Sequence, residues 1–387
     1  MDKQRKTILI QIGLLFLTIV TTTLAGAEWI YGRFLFFGDD TMRWSDFEAG
    51  LQYSIPLLLI LSFHEFGHYF TARYHKIKVT LPYYIPLWLG LIGSISLGTM
   101  GALIRIKEHI NNRKKYFDVG VSGPVAGFII AMFVIWYGFT NLPEKEYIYQ
   151  IHPEYETYGY GNSEPLNDEE QHMTMKLGDN LIFWYFRNYV ADQELVPPMS
   201  EMYHYPILLA GYIALLFTAL NLLPIGQLDG GHIIYGLFGK KNHRIIARVL
   251  FTAFIFYAGL GIIDVRSLEN TTMASMGEFA LYLGLYIYFL YASSFSMFER
   301  TQDRWFFAVT IMTGQFLLSS FFHWQGYSGW LLFAFLVGRV LGVDHPKTRE
   351  DEKLDFGRQL IGWLALIIFI VSFTPRPLIL EVPDGLF

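Results

Sequence analysis

Leu61-Ser62-Phe63-His64-Glu65-Phe66-Gly67-His68-Tyr69-Phe70 closes an apolar run, Leu51 to Phe70, long enough to cross a bilayer as a helix. On a helix, residues four apart share a face, so His64 and His68 can offer both imidazoles to one metal ion. Glu65 lies about a hundred degrees round the helix, near enough to act on a hydrolytic water without ligating the ion. The plainer alternative is a pair of helix histidines hydrogen-bonded to neighbours, beside a buried glutamate. Three ionisable side chains at hydrocarbon depth are expensive unless a metal compensates them, which favours the first reading.

Composition sets the surroundings. Charged residues make up 16% of the 387, hydrophobic residues 53% and aromatic residues 18%, with a mean hydropathy of +0.32. Those values describe a membrane protein rather than a soluble enzyme of this size. The chain has no cysteine, so disulfides and thiolate metal sites are excluded, and a zinc-type site must draw on His, Asp or Glu. Met1 to Lys6 ahead of an apolar run resembles a secretory leader, with Ala25-Gly26-Ala27 as a cleavage site. The run is about twenty residues, longer than the apolar part of such leaders, so an uncleaved first span is expected.

Hydropathy predicts an all-α polytopic membrane protein with about nine transmembrane helices, at about 7–26, 49–72, 117–141, 206–236, 249–264, 277–296, 306–322, 328–343 and 359–373. With the N-terminus in the cytoplasm, Lys3, Arg5 and Lys6 fall inside. So do most basic residues of the later loops, among them Arg73, Lys76, Arg113, Lys114, Lys240, Arg244, Arg300, Lys347 and Arg349. That asymmetry sets the expected orientation.

Between the second and third spans, Leu81-Pro82-Tyr83-Tyr84-Ile85-Pro86 cannot be a regular helix, because proline removes donors and blocks the preceding turn. Gly93 to Lys107 is apolar, rich in glycine and alternating from Ile104 onward. A re-entrant β-hairpin or loop entering from the cytoplasmic side is expected there, an ordinary interfacial loop being the alternative. Such backbone is tolerated at membrane depth where it lines a protein cavity or water. The third span opens Ser122-Gly123-Pro124-Val125-Ala126-Gly127, small residues that suit close packing against the histidine helix. Residues 142–205 form an acidic outer loop in which Leu181 to Phe186 begins a helix expected to lie on the membrane surface.

The fourth span carries Asn221-Leu222-Leu223-Pro224-Ile225-Gly226-Gln227-Leu228-Asp229-Gly230-Gly231-His232. Pro224 and Gly226 interrupt the helix. Asp229 near hydrocarbon depth needs a partner, and a metal is the least costly one. The second and fourth spans run in the same direction, so His64, His68 and Asp229 are expected at one level. Two His and one carboxylate, with a fourth position for water, form a catalytic rather than a structural zinc set. A helix-terminus or ion-pair carboxylate is the alternative for Asp229. Asn221 suits either a peptide substrate or a neighbouring helix, and His232 reads as a capping or surface histidine. The later spans carry no further chemical motif and read as accessory helices.

With both constellations in hand, the chain resembles the site-2 protease family, intramembrane zinc metalloproteases, over about residues 45–245. The Gly98-to-Gly101 segment and Gly123-Pro124-Val125-Ala126-Gly127 belong to the match, which is closest to the PDZ-less subgroup of bacteria and plastids. The resemblance implies one Zn2+ held by His64, His68 and Asp229, with Glu65 as general base. It also implies that Asn221 contacts the substrate backbone near the scissile bond. The strand edge from Gly98, Thr99, Met100 and Gly101 toward Leu103 is expected to accept an unwound substrate by strand addition. The implied substrates are membrane-tethered proteins cut within or beside their transmembrane segments, in a lipid bilayer and without nucleic acid. A multi-pass protein of a bacterial inner membrane, active site toward the cytoplasm, is expected. Residues 1–44 would be an N-terminal span and outer loop, 45–245 the metalloprotease core, and 246–387 accessory spans. The rival function is a metal-binding transporter or scaffold without proteolysis.

Overall fold

The computed structural model describes residues 3–38, 40–158, 174–262, 273–346, 348, 350 and 352–381. The middle of the acidic loop, the end of the fifth expected span, and Lys347 and Arg349 lie outside the described residues. Two long helices open the chain: α1, Lys3–Tyr31, and α2, Trp44–Tyr74. The hydroxyls of Thr18, Thr22 and Thr23 on α1 donate to carbonyls four residues earlier, at 2.7–2.8 Å, which satisfies them inside an apolar helix. At the start of α2, the Asp46 carboxylate accepts from the Arg43 backbone N–H at 3.0 Å, an anion where the helix dipole favours one.

The proline-rich stretch after α2 becomes strand β1, Tyr83–Leu87, paired antiparallel with β2, Gly98–Leu103. A hairpin is therefore present, and its first strand lies earlier than the alternation at Ile104 suggests. The register slips between Tyr84 and Pro86, where proline has no N–H to give the ladder. The hairpin is tied to both long helices. Gln11 Nε2 donates to Leu81 O at 2.6 Å, Thr21 Oγ1 to Gly98 O at 2.7 Å and Trp29 Nε1 to Ser96 O at 2.8 Å. From α2, the Tyr53 hydroxyl donates to Leu97 O at 3.1 Å, and Ser62 and Tyr84 share a 2.6 Å hydrogen bond.

Gly98 has a φ of +76°, and a Cβ there would stand 2.4 Å from the Thr22 Cα. Strain and collision act together at this position. Gly98→Ala is expected to destabilise the protein by about 1–3 kcal/mol, read as a lower thermal unfolding midpoint in detergent. An unchanged midpoint would show that the hairpin can lift from α1 without cost.

Beyond the hairpin come α3 (Arg113–Thr140), the short helices α4 (Glu146–Tyr149) and α5 (Glu154–Tyr158), strand β3 (Thr174–Leu177), α6 (Leu181–Tyr189) and α7 (Pro206–Leu222). Then follow α8 (Asp229–Gly259), α9 (Met273–Ser293), α10 (Thr301–Phe322), α11 (Leu331–Phe335, continued by a wider turn over Leu336–Leu341), α12 (Phe356–Ser372) and strand β4 (Leu378–Glu381). They divide into two units: Met1–His109 with Ser122–Leu220 and Ala365–Phe387, and Ile110–Val121 with Asn221–Leu364.

In the first unit the core runs from Trp29 and Tyr53 through Ile135 and Phe139 to Phe183, Leu208 and Tyr212. The helix expected from Leu181 onward forms, capped by the Asn180 side chain, which accepts from the Phe183 N–H at 2.9 Å. Its Phe183 and Phe186 pack against Phe139 while Trp184, Tyr185 and Tyr189 stay exposed. Strand β4 returns from the end of the chain to pair antiparallel with β3.

In the second unit, a non-helical residue, Gly239 at φ +75°, splits α8 where a loop between the fourth and fifth spans is expected. The buried Arg113 donates Nε and an η nitrogen to Gly236 O at 3.0 and 2.8 Å, occupying a carbonyl that the break would orphan. Arg358 grips Asp118 with two parallel bonds of 2.7 and 2.8 Å. Buried Gln315 on α10 donates to Phe256 O at 3.0 Å and accepts from the Tyr286 hydroxyl at 2.9 Å, linking α8, α9 and α10.

The described residues of each expected span are mainly helical, and helix length and composition alone do not establish nine crossings. Among the described residues, three helices are long and apolar enough to cross a membrane: Gln4–Tyr31, Arg113–Thr140 and Thr301–Phe322. Pro206–Leu222, Phe279–Ser293, Ser328–Leu341 and Phe356–Ser372 are apolar but shorter. α2 is long enough, yet His64, Glu65 and His68 interrupt its apolar run. The charged cluster Lys240, Lys241 and Arg244 does the same to α8.

Candidate active site

Helical spacing does locally what the sequence requires. His64 and His68 lie on one face of α2, buried to 5% and 7% exposure, with Glu65 at 6%. Their rings meet edge to face with centroids 4.8 Å apart, and their Nε2 atoms stand 3.1 Å from each other. Two donors of a tetrahedral zinc with bonds of 2.0–2.1 Å lie about 3.4 Å apart, so the imidazole pair suits that ion in chemistry and in spacing. Ser62, two residues before His64, donates to Leu58 O at 2.6 Å and holds Tyr84 of the hairpin. The histidine helix and the hairpin therefore share a fixed joint.

α3 makes room for the two rings. A Cβ on Gly123 would stand 2.1 Å from His68 Nε2, and one on Gly127 would stand 3.0 Å from His64 Cβ. The small-residue run is a packing surface against the histidines, as its composition suggests. Gly123 and Gly127 sit four apart for the same reason that His64 and His68 do.

In the hairpin, Thr99 is buried and its hydroxyl is spent internally, donating to Ile85 O at 2.9 Å and accepting from Gly101 N–H at 3.0 Å. Met100 is exposed, and Gly101 has open space where a Cβ would be. The Met100 side chain and the space beside Gly101 are thus open, while the Thr99 hydroxyl is engaged.

In the second unit, α7 ends at Leu222, one residue after the half-buried Asn221. Pro224 and Gly226, the latter at φ +59°, carry the chain through a turn, and α8 restarts at Asp229. The expected helix break is present, and it places the Asp229 carboxylate in the first turn of a new helix. His232 differs from its expected capping or surface role. Its Nδ1 lies 2.8 Å from His345 Nε2, in an aromatic cluster with Tyr116 and Tyr235. Residues more than a hundred positions apart meet there, so no local spacing announces the cluster. A further group, His152, Glu201 and His204, gathers in the first unit. Its one sequence signal is Glu201-Met202-Tyr203-His204, a Glu-x-x-His spacing.

A family model, Peptidase family M50, matches residues 52–263, more than half of the chain. The chain belongs to Peptidase family M50. The M50 match takes in α2, the hairpin, α3, α7 and α8, hence both constellations. Among curated relatives, a protein named "Probable zinc metalloprotease EGY1, chloroplastic" of Arabidopsis thaliana is 29% identical over 196 residues, 50% of this chain and 31% of the relative. "Probable zinc metalloprotease EGY2, chloroplastic" of Oryza sativa subsp. indica is 26% identical over 243 residues, 62% of this chain and 36% of the relative. The chain thus spans about a third of the length of these relatives. M50 membership together with the apolar helices makes it an integral membrane protein.

Proposed function

We propose that this M50 protein is an intramembrane zinc metalloendopeptidase that hydrolyses peptide bonds within or beside transmembrane segments of membrane-tethered proteins. The observation that carries the reading is the buried imidazole pair on α2, with Nε2 atoms 3.1 Å apart, inside the M50 match. The relatives' names as zinc metalloproteases support the metal. His64, His68 and Asp229 are its proposed ligands, and their donor types suit zinc better than magnesium or calcium. Zinc bound there supplies Lewis acidity to the scissile carbonyl and to the attacking water. Glu65 takes the proton of that water and returns it to the leaving amine. The reacting core is assigned to residues 45–245, flanked by 1–44 and 246–387. The Lys and Arg residues gathered in alternate loops support an N-terminus and active site on the cytoplasm-like side of the membrane.

A transmembrane substrate hides its carbonyls in its own helix and must unwind before it is cut. Each orphaned amide in hydrocarbon costs several kcal/mol. β2 can receive the unwound segment by strand addition along Gly98, Thr99, Met100 and Gly101, replacing those bonds, while Asn221 holds the backbone next to the cut. Proline or glycine placed near the cut site of a single-span substrate is therefore expected to speed cleavage severalfold in proteoliposomes. Equal rates across several such substrates would remove the unwinding step.

The ligand set is tested by the zinc content of purified Asp229→Ala. Loss of zinc from the α2 site beside a retained fold is expected. Zinc held there as tightly as in the wild type would take Asp229 out of the set.

A further inference from the structure

His152 follows α4, and Glu201 and His204 lie just ahead of α7, yet their side chains meet. His152 Nε2 and His204 Nε2 are 3.1 Å apart, and Glu201 Oε2 lies 3.7 Å from each. The opposite edges of the rings are already engaged. His204 Nδ1 faces the Ile30 carbonyl at 2.5 Å, and His152 Nδ1 faces the Glu154 carboxylate at 3.0 Å. Both of those partners only accept, so each Nδ1 carries its proton and a neutral ring turns a lone pair toward the other at Nε2.

Glu201 adds a third acceptor. Its Oε1 accepts from the Tyr155 hydroxyl at 2.9 Å, while Oε2 is buried without a hydrogen-bond partner. The residue is 5% exposed. Two nitrogen lone pairs and a carboxylate oxygen that face one point repel each other unless a cation sits between them.

We propose that His152, Glu201 and His204 form a second metal site, separate from the α2 histidines, that takes one divalent ion of the zinc type. The three separations, 3.1, 3.7 and 3.7 Å, bracket the edge of about 3.4 Å expected of a tetrahedral zinc sphere. Two imidazoles and one carboxylate select zinc over magnesium or calcium. Glu154 and the Ile30 carbonyl orient the two rings from behind, as outer partners of metal-bound histidines do. The His152 side chain is 28% exposed, which leaves a route from solvent to the fourth position. Bound there, the ion fastens the α4–α5 turn to the start of α7 and, through His204, to the last turn of α1.

The test counts zinc on the full chain in detergent, equilibrated with zinc sulfate alone. The wild type is expected to hold two ions and His152→Ala one. A variant with His64→Ala and His68→Ala together is expected to keep one ion, and adding Glu201→Gln to it should leave none. Glu154→Gln keeps all three ligands and the fold, and should weaken the second zinc about 10–100-fold. Cobalt in place of zinc on the double histidine variant should show the intense visible absorption of a tetrahedral site, lost with His152→Ala. If that double variant holds no zinc while the wild type holds one, or if His152→Ala and Glu154→Gln leave stoichiometry and affinity unchanged, the second site is refuted. Neither result touches the assignment of the α2 histidines, whose own loss of zinc is read in the same experiment.

Discussion

Glu65→Gln is expected to stop cleavage of a tagged single-span substrate while the protein keeps its α2 zinc. The substitution preserves shape and removes only the ability to carry a proton, and general-base catalysis is worth about 10²–10⁴-fold in rate. Glu65 is buried beside the two histidines, so the amide occupies the same volume on the same helix face. Zinc content measured beside turnover separates the two functional readings. A transporter or scaffold continues to bind and move metal after the change, whereas a peptidase loses turnover alone. Equal cleavage by wild type and variant would remove Glu65 from the role of base.

Gly123→Ala is expected to do nearly as much harm from a residue that ligates nothing. The added methyl would lie 2.1 Å from His68 Nε2 and 2.4 and 2.5 Å from two further ring atoms, so it meets the imidazole itself. Either the ring swings off its orientation or α3 backs away. Overpacking of this kind costs about 1–3 kcal/mol, and a misaimed ligand costs about 10–100-fold in metal affinity. Gly101→Ala is the matched control for zinc binding. Its new methyl meets nothing within 4 Å, and only its φ of +99° is unfavourable. Zinc retained by Gly101→Ala and lost by Gly123→Ala would locate the effect at the ring. Full zinc and full turnover in Gly123→Ala would mean that α3 yields freely.

The histidine face of α2 is legible in the sequence because four-residue spacing is a local property of helices, which tertiary contacts do not undo. The break after Leu222 is legible for a similar reason, since Pro224 and Gly226 act on their own turn. Strand β1 is harder to see. Two prolines exclude a helix there but do not mark a strand, and the slip at Pro86 hides the register. The count of crossings is less legible, because a hydropathy run does not distinguish a full span from a shorter apolar helix such as Pro206–Leu222 or Phe356–Ser372. His152, Glu201 and His204 are not legible as a group, since only the Glu201-to-His204 spacing is local. Their meeting depends on how α4 and the start of α7 pack, and single histidines tens of residues apart leave no periodic trace.

The M50 match begins at residue 52, beyond the whole of α1. Even so, Gln11, Thr21 and Trp29 hold three carbonyls along the hairpin, and Ile30 backs the ring of His204. A shortened version confined to the matched residues would keep His64, His68 and Asp229 and lose the mooring of the strand proposed to receive substrate. The contacts that hold the hairpin therefore reach back past the family boundary to the first helix, and truncation studies should be laid out from there.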